Sequence, residues 1–339
     1  MSEASHPPSA LHDPFGRRVS YLRVSVTDRC NFRCGYCMAE EMDFLPKRDL
    51  LTLEELQRVA EVFIGLGVNR LRITGGEPLV RRGILSLFRG LRPQLEAGRL
   101  GELTVTTNGT LLGRHAQALY DCGVRRINVS LDTLDADRFR ELTRLGELKQ
   151  VLDGLQAAVD AGLKVKINAV ALRGINDAEL SRMVAWCGLR GFDLALIEAM
   201  PLGEIGPCRA EHFMSLDEAR AVLGADWTLR PSGHRTGGPA RYFDVAETGS
   251  RVGFIAPYSH NFCESCNRVR LTCTGMLYLC LGQDDCLDLR RPLRDGASDA
   301  ELAALIRAAI ARKPRGHDFD ESRLADGAQV VRFMSTTGG

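Results

Sequence analysis

Six of the cysteines fall into two sets whose spacing could hold metal. Cys30, Cys34 and Cys37 stand as C-x3-C-x2-C, and Cys263, Cys266 and Cys280 stand as C-x2-C-x13-C. Three thiolates bind three irons of a four-iron, four-sulfur cluster and leave the fourth iron open. An open iron can chelate a small molecule, which a catalytic cluster needs and a simple electron carrier does not. Zinc sites gather four ligands from paired C-x2-4-C motifs, so the first set fits a cluster better than zinc. On spacing alone the second set also admits a zinc clip or a closed cluster, with Cys273, Cys286 or His260 as a fourth ligand. Otherwise Cys273 and Cys286 read as structural thiols. Beside this set lie Asn267, Arg268, Val269 and Arg270. Guanidinium forks next to a metal site suit a phosphate-bearing ligand.

The rest of the composition narrows the setting. With 44 Lys+Arg against 43 Asp+Glu, the net charge of +1 gives no field for nucleic acid or a membrane surface. A basic ligand site must therefore come from local placement. No apolar run approaches a membrane span, and Met1 to Asp13 lack both a basic start and an apolar stretch. A cytoplasmic location follows as the expectation. Thiols stay reduced there, so 11 cysteines point to metal or redox chemistry rather than a disulfide scaffold.

Elements able to position these residues alternate along the first 200 residues. Strand-like runs at Tyr21 to Thr27, Arg70 to Thr74, Leu103 to Thr107, Arg126 to Leu131, Lys164 to Val170 and Leu194 to Ala199 are separated by helical periodicity. Thr52 and Glu55 form a capping box ahead of Leu53, Leu56, Val59, Ala60 and Phe63. Repeated βα units imply a parallel sheet, open or rolled into a partial barrel. Residues two apart share a strand face, so Arg23, Ser25 and Thr27 lie together, as do Arg70, Arg72 and Thr74, and Lys164, Lys166 and Asn168. The opposite faces carry Leu, Val and Ile. With helices on the apolar side, the polar side forms a wet, basic barrel interior. Asn108, Ser130, Asp132 and the stretch from Glu198 to Met200 end strands, where α/β barrels place active sites. We expect a disordered tail over 1–13, a barrel over 14–206, and a second domain over 207–339 that ends with a helix from about Asp299 to Arg312 and the Gly338-Gly339 tail.

C-x3-C-x2-C with Tyr36 inside it, followed by Gly75-Gly76-Glu77-Pro78 after the second strand, resembles the radical S-adenosylmethionine (SAM) superfamily. Adding the runs at Arg23 to Asp28, Thr106 to Gly109 and Asn128 to Asp132, the FCxxCNRxR motif at Phe262 to Arg270 and the closing Gly-Gly, the whole chain from about Phe15 resembles the branch of that superfamily that cyclises GTP at the start of molybdenum cofactor biosynthesis. The resemblance implies an incomplete (β/α)6 TIM-like barrel whose opening a C-terminal domain closes. It implies two 4Fe-4S clusters, one on Cys30, Cys34 and Cys37 that binds SAM and one on Cys263, Cys266 and Cys280 that meets GTP. Tyr36, Gly76, Ser130 and Met200 would contact SAM. Arg23, Arg72, Thr106, Lys166, Arg268, Val269 and Arg270 would bind GTP, with Arg268, Arg270, Gly338 and Gly339 as catalytic groups. Reductive cleavage of SAM would give a 5′-deoxyadenosyl radical that removes hydrogen from ribose C3′, and attack on guanine C8 would give 3′,8-cyclo-7,8-dihydro-GTP.

The same resemblance implies a flavodoxin or ferredoxin as electron donor and cyclic pyranopterin monophosphate synthase as the next enzyme, and leaves a homodimer open. A peptide-modifying radical SAM enzyme with an auxiliary cluster is the alternative, and a non-catalytic iron–sulfur electron carrier a third reading. One position departs from the family: a sixth-strand Arg is replaced by Ala195, with Arg70 or Lys164 as its expected substitutes at the triphosphate.

Overall fold

The computed structural model describes residues 10–203, 211–259, 262–320 and 328–338. Six strands, β1 (Tyr21–Ser25), β2 (Arg70–Thr74), β3 (Glu102–Thr107), β4 (Arg126–Ser130), β5 (Lys164–Ala171) and β6 (Asp193–Glu198), lie side by side in chain order, all parallel. Their boundaries fall within two residues of the sequence expectation. Their outward faces are the aliphatic ones: Leu22, Leu71, Ile73, Val105, Ile127, Val129, Ile167 and Leu194 are buried beneath the connecting helices. Each such side chain contributes roughly 1.5–3 kcal/mol by leaving water. Register is fixed by this pattern, because a one-residue slip would turn the arginines into the helix layer.

The first helix, α1 (Leu53–Gly65), begins at the expected capping box, with Thr52 and Glu55 each satisfying the other's backbone amide. It buries Leu56, Val59, Ala60 and Phe63 against the sheet. The helix expected from about Asp299 to Arg312 is present as Asp299–Ile310, capped by Ser298.

Sequence reading stopped at six strands, but the parallel run is longer. β9 (Arg251–Ile255) pairs parallel with β6, and β10 (Arg268–Leu271) pairs parallel with β1. Each edge then continues antiparallel, through β8 (Arg241–Val245) and β7 (Leu229–Pro231) on one side and β11 (Met276–Tyr278) and β12 (Cys286–Asp288) on the other. The result is one 12-stranded sheet, and among the described residues β9 and β10 do not pair. It is an incomplete TIM-like barrel that residues beyond 207 extend at both edges. β10 escaped notice because its run Arg268-Val269-Arg270-Leu271 sits directly after a cysteine motif and reads as ligand chemistry.

Of the tail expected over 1–13, residues 1–9 lie outside the described ones, and the remainder is held. Leu11 is buried, and Asp13 accepts from the Phe15 and Arg17 amides and pairs with the Arg17 guanidinium at 2.5 Å.

Close packing behind the barrel depends on a glycine. In α5 (Leu148–Asp160), a Cβ on Gly154 would stand 2.2 Å from the Gly109 carbonyl oxygen. Gly109 itself turns the chain at φ +86 after β3. Replacing a helical glycine by alanine normally gains about 1 kcal/mol. Here a backbone oxygen cannot swing aside, and overpacking costs about 1–3 kcal/mol. Gly154→Ala is therefore expected to lower the urea midpoint, and an unchanged or raised midpoint would show that α5 can shift outward freely.

Candidate active site

All six cysteines of the two triads line one cavity of ≈ 310 Å³, within the range of ligand sites. The first triad sits in the loop after β1. That loop is pinned by main-chain bonds: the Arg33 amide donates to Thr143 O at 2.9 Å and the Gly35 amide to Leu142 O at 3.0 Å. Gly76 holds its other side. The Gly76 amide donates to Thr27 O and the Glu77 amide to Arg29 O, each at 2.8 Å, and a Cβ on Gly76 would lie 2.4 Å from the Arg29 carbonyl. The glycine pair thus lets the backbone before Cys30 lie flat against the end of β2.

Glu77 ties this arrangement to β3. Its buried carboxylate accepts from Thr107 Oγ1 at 2.8 Å, the Asn108 amide at 2.6 Å and the Leu79 amide at 3.0 Å. Burial nevertheless pushes it up to about 7. Asn108 completes the link, its amide nitrogen 3.9 Å from Cys30 Sγ and 2.8 Å from Asn31 Oδ1. Tyr36, within the triad, donates to Asp132 Oδ2 at 2.6 Å, and the Val170 amide donates to Asp132 Oδ1 at 2.8 Å. Burial raises Asp132 to about 6.

Residues expected at the site come together with few exceptions. Tyr36, Gly76, Ser130 and Met200 line the cavity near the first triad's loops, and Arg23, Arg72, Thr106, Lys166, Arg268, Val269 and Arg270 line it as well. The inward face anticipated from strand alternation is therefore the cavity wall. Gly338 approaches the same region from the C-terminus: its carbonyl accepts from Arg270 Nη1, and a Cβ there would meet Thr74 Oγ1 at 1.9 Å. Ser335 and Thr337 beside it are buried. Gly339 lies outside the described residues, as does His260, one of the alternative fourth ligands. Cys273 and Cys286, the other two, do not line the cavity.

The expected substitutes for the missing sixth-strand arginine are not there. Arg70 faces Glu102, with 3.8 Å between them, and Lys164 is exposed at the start of β5; neither lines the cavity. Both stand at the N-terminal ends of their strands, one or more turns of pleat away from the ligand face. Ala195 is buried between Asn168 and Gly253 in register. The ring of Tyr242 lies against Gly253, and its hydroxyl accepts from Lys166 Nζ at 2.7 Å. Sequence reading missed Tyr242 because β8 arises from a loop-rich stretch, where a lone aromatic gives no spacing signal.

Electrostatics mark the wall as an anion site. Burial, then Arg270 and Arg72, holds Arg23 well below the usual arginine range, and burial with Arg268 pulls Arg270 down to about 10. Burial, then Arg72 and Arg126, pulls Lys166 down to about 7. Arg72 Nε, Thr106 Oγ1 and Asn168 Oδ1 are buried with no hydrogen-bond partner among the described residues. Buried polar atoms are ordinarily satisfied, so these are placed for a polar ligand.

The sulfurs fit the iron–sulfur groups the sequence implies. Cys34 feels Cys37 and Cys30, and Cys280 feels Cys266 and Cys263, so each triad is a local group. Among the described residues no three His, Cys, Asp or Glu side chains close around a point as for a single ion. Burial pushes Cys30 up to about 11. A thiol held protonated in this way ligates only by exchanging its proton for metal charge. Cys266 differs: against the effect of burial, Lys313 and then Arg268 bring it below the usual thiol range.

Comparison with known proteins agrees with this geometry. Residues 24–187 match the Radical SAM superfamily and residues 192–319 match Molybdenum Cofactor Synthesis C. The chain is 62% identical over 331 residues to the GTP 3′,8-cyclase of Sinorhizobium medicae (strain WSM419), covering 98% of this chain and 95% of that one. It is likewise 62% identical over 336 residues to the GTP 3′,8-cyclase of Paracoccus denitrificans (strain Pd 1222), covering 99% and 97%. Among solved structures, Streptococcus suis SuiB bound to S-adenosylmethionine shares the fold at a TM-score of 0.60 and 14% identity, covering 94% of this chain and 78% of that one. Near-full-length identity of this order, on a cavity that gathers both cysteine triads and the basic wall, means that the chain belongs to the GTP 3′,8-cyclase family of radical SAM enzymes.

Proposed function

We propose that this chain converts GTP to 3′,8-cyclo-7,8-dihydro-GTP, the first step of molybdenum cofactor biosynthesis, with SAM at the Tyr36 end of the cavity and GTP along its basic wall. One observation carries the reading: both cysteine triads and five cationic side chains, Arg23, Arg72, Lys166, Arg268 and Arg270, share a single chamber. A triphosphate suits such a wall, whereas a peptide backbone would leave its charge uncompensated.

When bound, the first cluster would supply the electron that starts radical chemistry on SAM, and the second would serve the guanine end of GTP. Cys30, Cys34 and Cys37 hold the one, and Cys263, Cys266 and Cys280 the other. Tyr36, Gly76, Ser130 and Met200 orient SAM, with Tyr36 itself fixed by Asp132. Arg23, Arg72, Thr106 and Lys166 take the phosphates and ribose, and Arg268, Val269 and Arg270 align the base, so that C3′ stands within reach of the adenosyl carbon. Gly338 acts through Arg270, whose guanidinium its carbonyl orients, and Gly339 is the second catalytic glycine of the tail. A flavodoxin or ferredoxin is the electron donor, and cyclic pyranopterin monophosphate synthase receives the product. Residues 14–206 serve as the SAM-binding barrel and 207–339 as the part that carries the second cluster. The setting is the cytoplasm, and no helix among the described residues is long and apolar enough to cross a membrane.

Anaerobically reconstituted protein with SAM and reductant is expected to release 5′-deoxyadenosine only when GTP is added; release that ignores GTP but follows an added peptide would overturn the substrate assignment. In Gly338→Ala, the new methyl group collides with Thr74 and the backbone sits at φ +77. That variant should keep the parent's iron content while losing product at least about tenfold, equivalent to about 1.4 kcal/mol of transition-state stabilisation; full product would detach the tail from the chemistry. Lys166 gives a pH signature. Burial pulls its ammonium down to about 7, and a nearby triphosphate raises that value. GTP binding at pH 8 should therefore take up a proton, and affinity should fall as pH rises above about 7. Calorimetry in two buffers of different ionisation enthalpy reads the uptake, which Lys166→Met should abolish; equal heats for the parent protein would refute it.

A further inference from the structure

Lys313 follows the helix Asp299–Ile310 and is buried, with 2% of its surface exposed, although it does not line the cavity. Its Nζ donates to the Leu279 carbonyl at 2.6 Å and lies 3.7 Å from Cys266 Sγ. Among the described residues no Asp or Glu comes within ion-pair distance of it. An ammonium group taken from water with only a carbonyl dipole for company is strongly unfavourable. The nearby groups able to balance it are sulfurs, since Cys266 and Cys280 both feel its charge.

Its position links two separate limbs of the second triad. Cys266 stands at the end of the short turn Cys263–Ser265, while Leu279 immediately precedes Cys280 on the far side of the β10–β11 hairpin. The third limb is held from the adjoining residues. Arg17 Nη1 donates to Cys263 O and Arg315 O, each at 2.6 Å, and Arg17 Nη2 donates to Pro314 O at 2.5 Å. The short run from Lys313 to Arg315 thereby touches or braces all three ligand positions from behind. None of this lies on the substrate side.

Resting on the reading of Cys263, Cys266 and Cys280 as cluster ligands, we propose that Lys313 is the positioning residue of the second cluster: its buried ammonium joins the Cys266 and Cys280 limbs and raises the cluster's reduction potential. The direction follows from charge. Reduction adds an electron, a fixed cation close to a ligand sulfur favours the more negative state, and hydrogen bonds to cluster sulfurs tune potential in the same sense.

The test uses the full chain with Cys30, Cys34 and Cys37 replaced by Ala, so that only the second cluster can form, and compares Lys313, Lys313→Met and Lys313→Arg. Iron per chain and the midpoint from an anaerobic redox titration followed by electron paramagnetic resonance are measured. Lys313→Met with the parent's iron content should be harder to reduce, by about tenfold in the reduced-to-oxidised ratio, or 59 mV for one electron. Lys313→Arg should stay near the parent. Should Lys313→Met lose its iron instead, retention by Lys313→Arg supports the proposal, and equal loss by both overturns it. A midpoint in iron-replete Lys313→Met equal to the parent's also overturns it. Failure of the underlying reading looks different: the triple-Ala protein with Lys313 intact would then carry no cluster at all.

Discussion

Cationic side chains drawn together inside a protein repel one another and lose their hydration, and such an arrangement persists only where an anion completes it. Arg23, Arg72, Lys166 and Arg270 meet this condition around a single chamber, each held below its ordinary range chiefly by burial, with neighbouring cations adding to the effect. The carboxylates that border the cavity do not relieve them. Glu198 is engaged by the Leu216, Tyr258 and Ser259 amides, and Asp132 by Tyr36 and Val170. Free energy that could have gone into a quieter core is held as affinity for a polyanion. Much of the scaffold follows from this: an aliphatic outer face dense enough to stabilise the sheet despite its charged interior, with inward cations on β1, β2, β5 and β10.

That interior was legible in the chain because a period of two is hard to imitate. Arg23 with Ser25, Arg72 with Thr74, and Lys166 with Asn168 share faces by arithmetic alone, and the same arithmetic puts Leu22, Leu71 and Ile167 under helices. Depth along a strand is another matter. Arg70 and Lys164 share those faces yet lie at the strand starts, outside the chamber. Alternation tells which side a residue faces but not how far along the barrel axis the ligand sits, and that distinction separated Arg72 from Arg70.

What stayed hidden has a common cause, namely contacts between segments far apart in sequence. β10 pairs with β1 although 247 positions separate Tyr21 from Arg268, and the bond from Arg17 to the Cys263 carbonyl spans 246. Tyr242 reaches Lys166, and Lys313 reaches Cys266, through packing that no local pattern announces. Residues such as these carry no motif of their own. Their function is conferred by the neighbour they hold, so they become visible only when the neighbour's surroundings are known.

The two triads show how differently one kind of ligand can be supported. Around Cys30 the support is mostly backbone: Gly76 against Arg29, amides on Thr143 and Leu142, and the Glu77 carboxylate binding β2 to β3 without touching a sulfur. Burial there leaves Cys30 as a reluctant thiol, displaced upward. Around Cys266 the support is cationic, from Lys313 and Arg268, and the thiol is displaced downward. Arg33 gives its guanidinium to the Cys30 carbonyl, whereas Lys313 lies 3.7 Å from Cys266 Sγ itself, and a cation close to a ligand sulfur favours added electrons. The two triads therefore differ in what stands behind their sulfurs, chiefly backbone at the first and a buried lysine at the second. The difference resides in the groups behind the cysteines, not in the cysteines themselves.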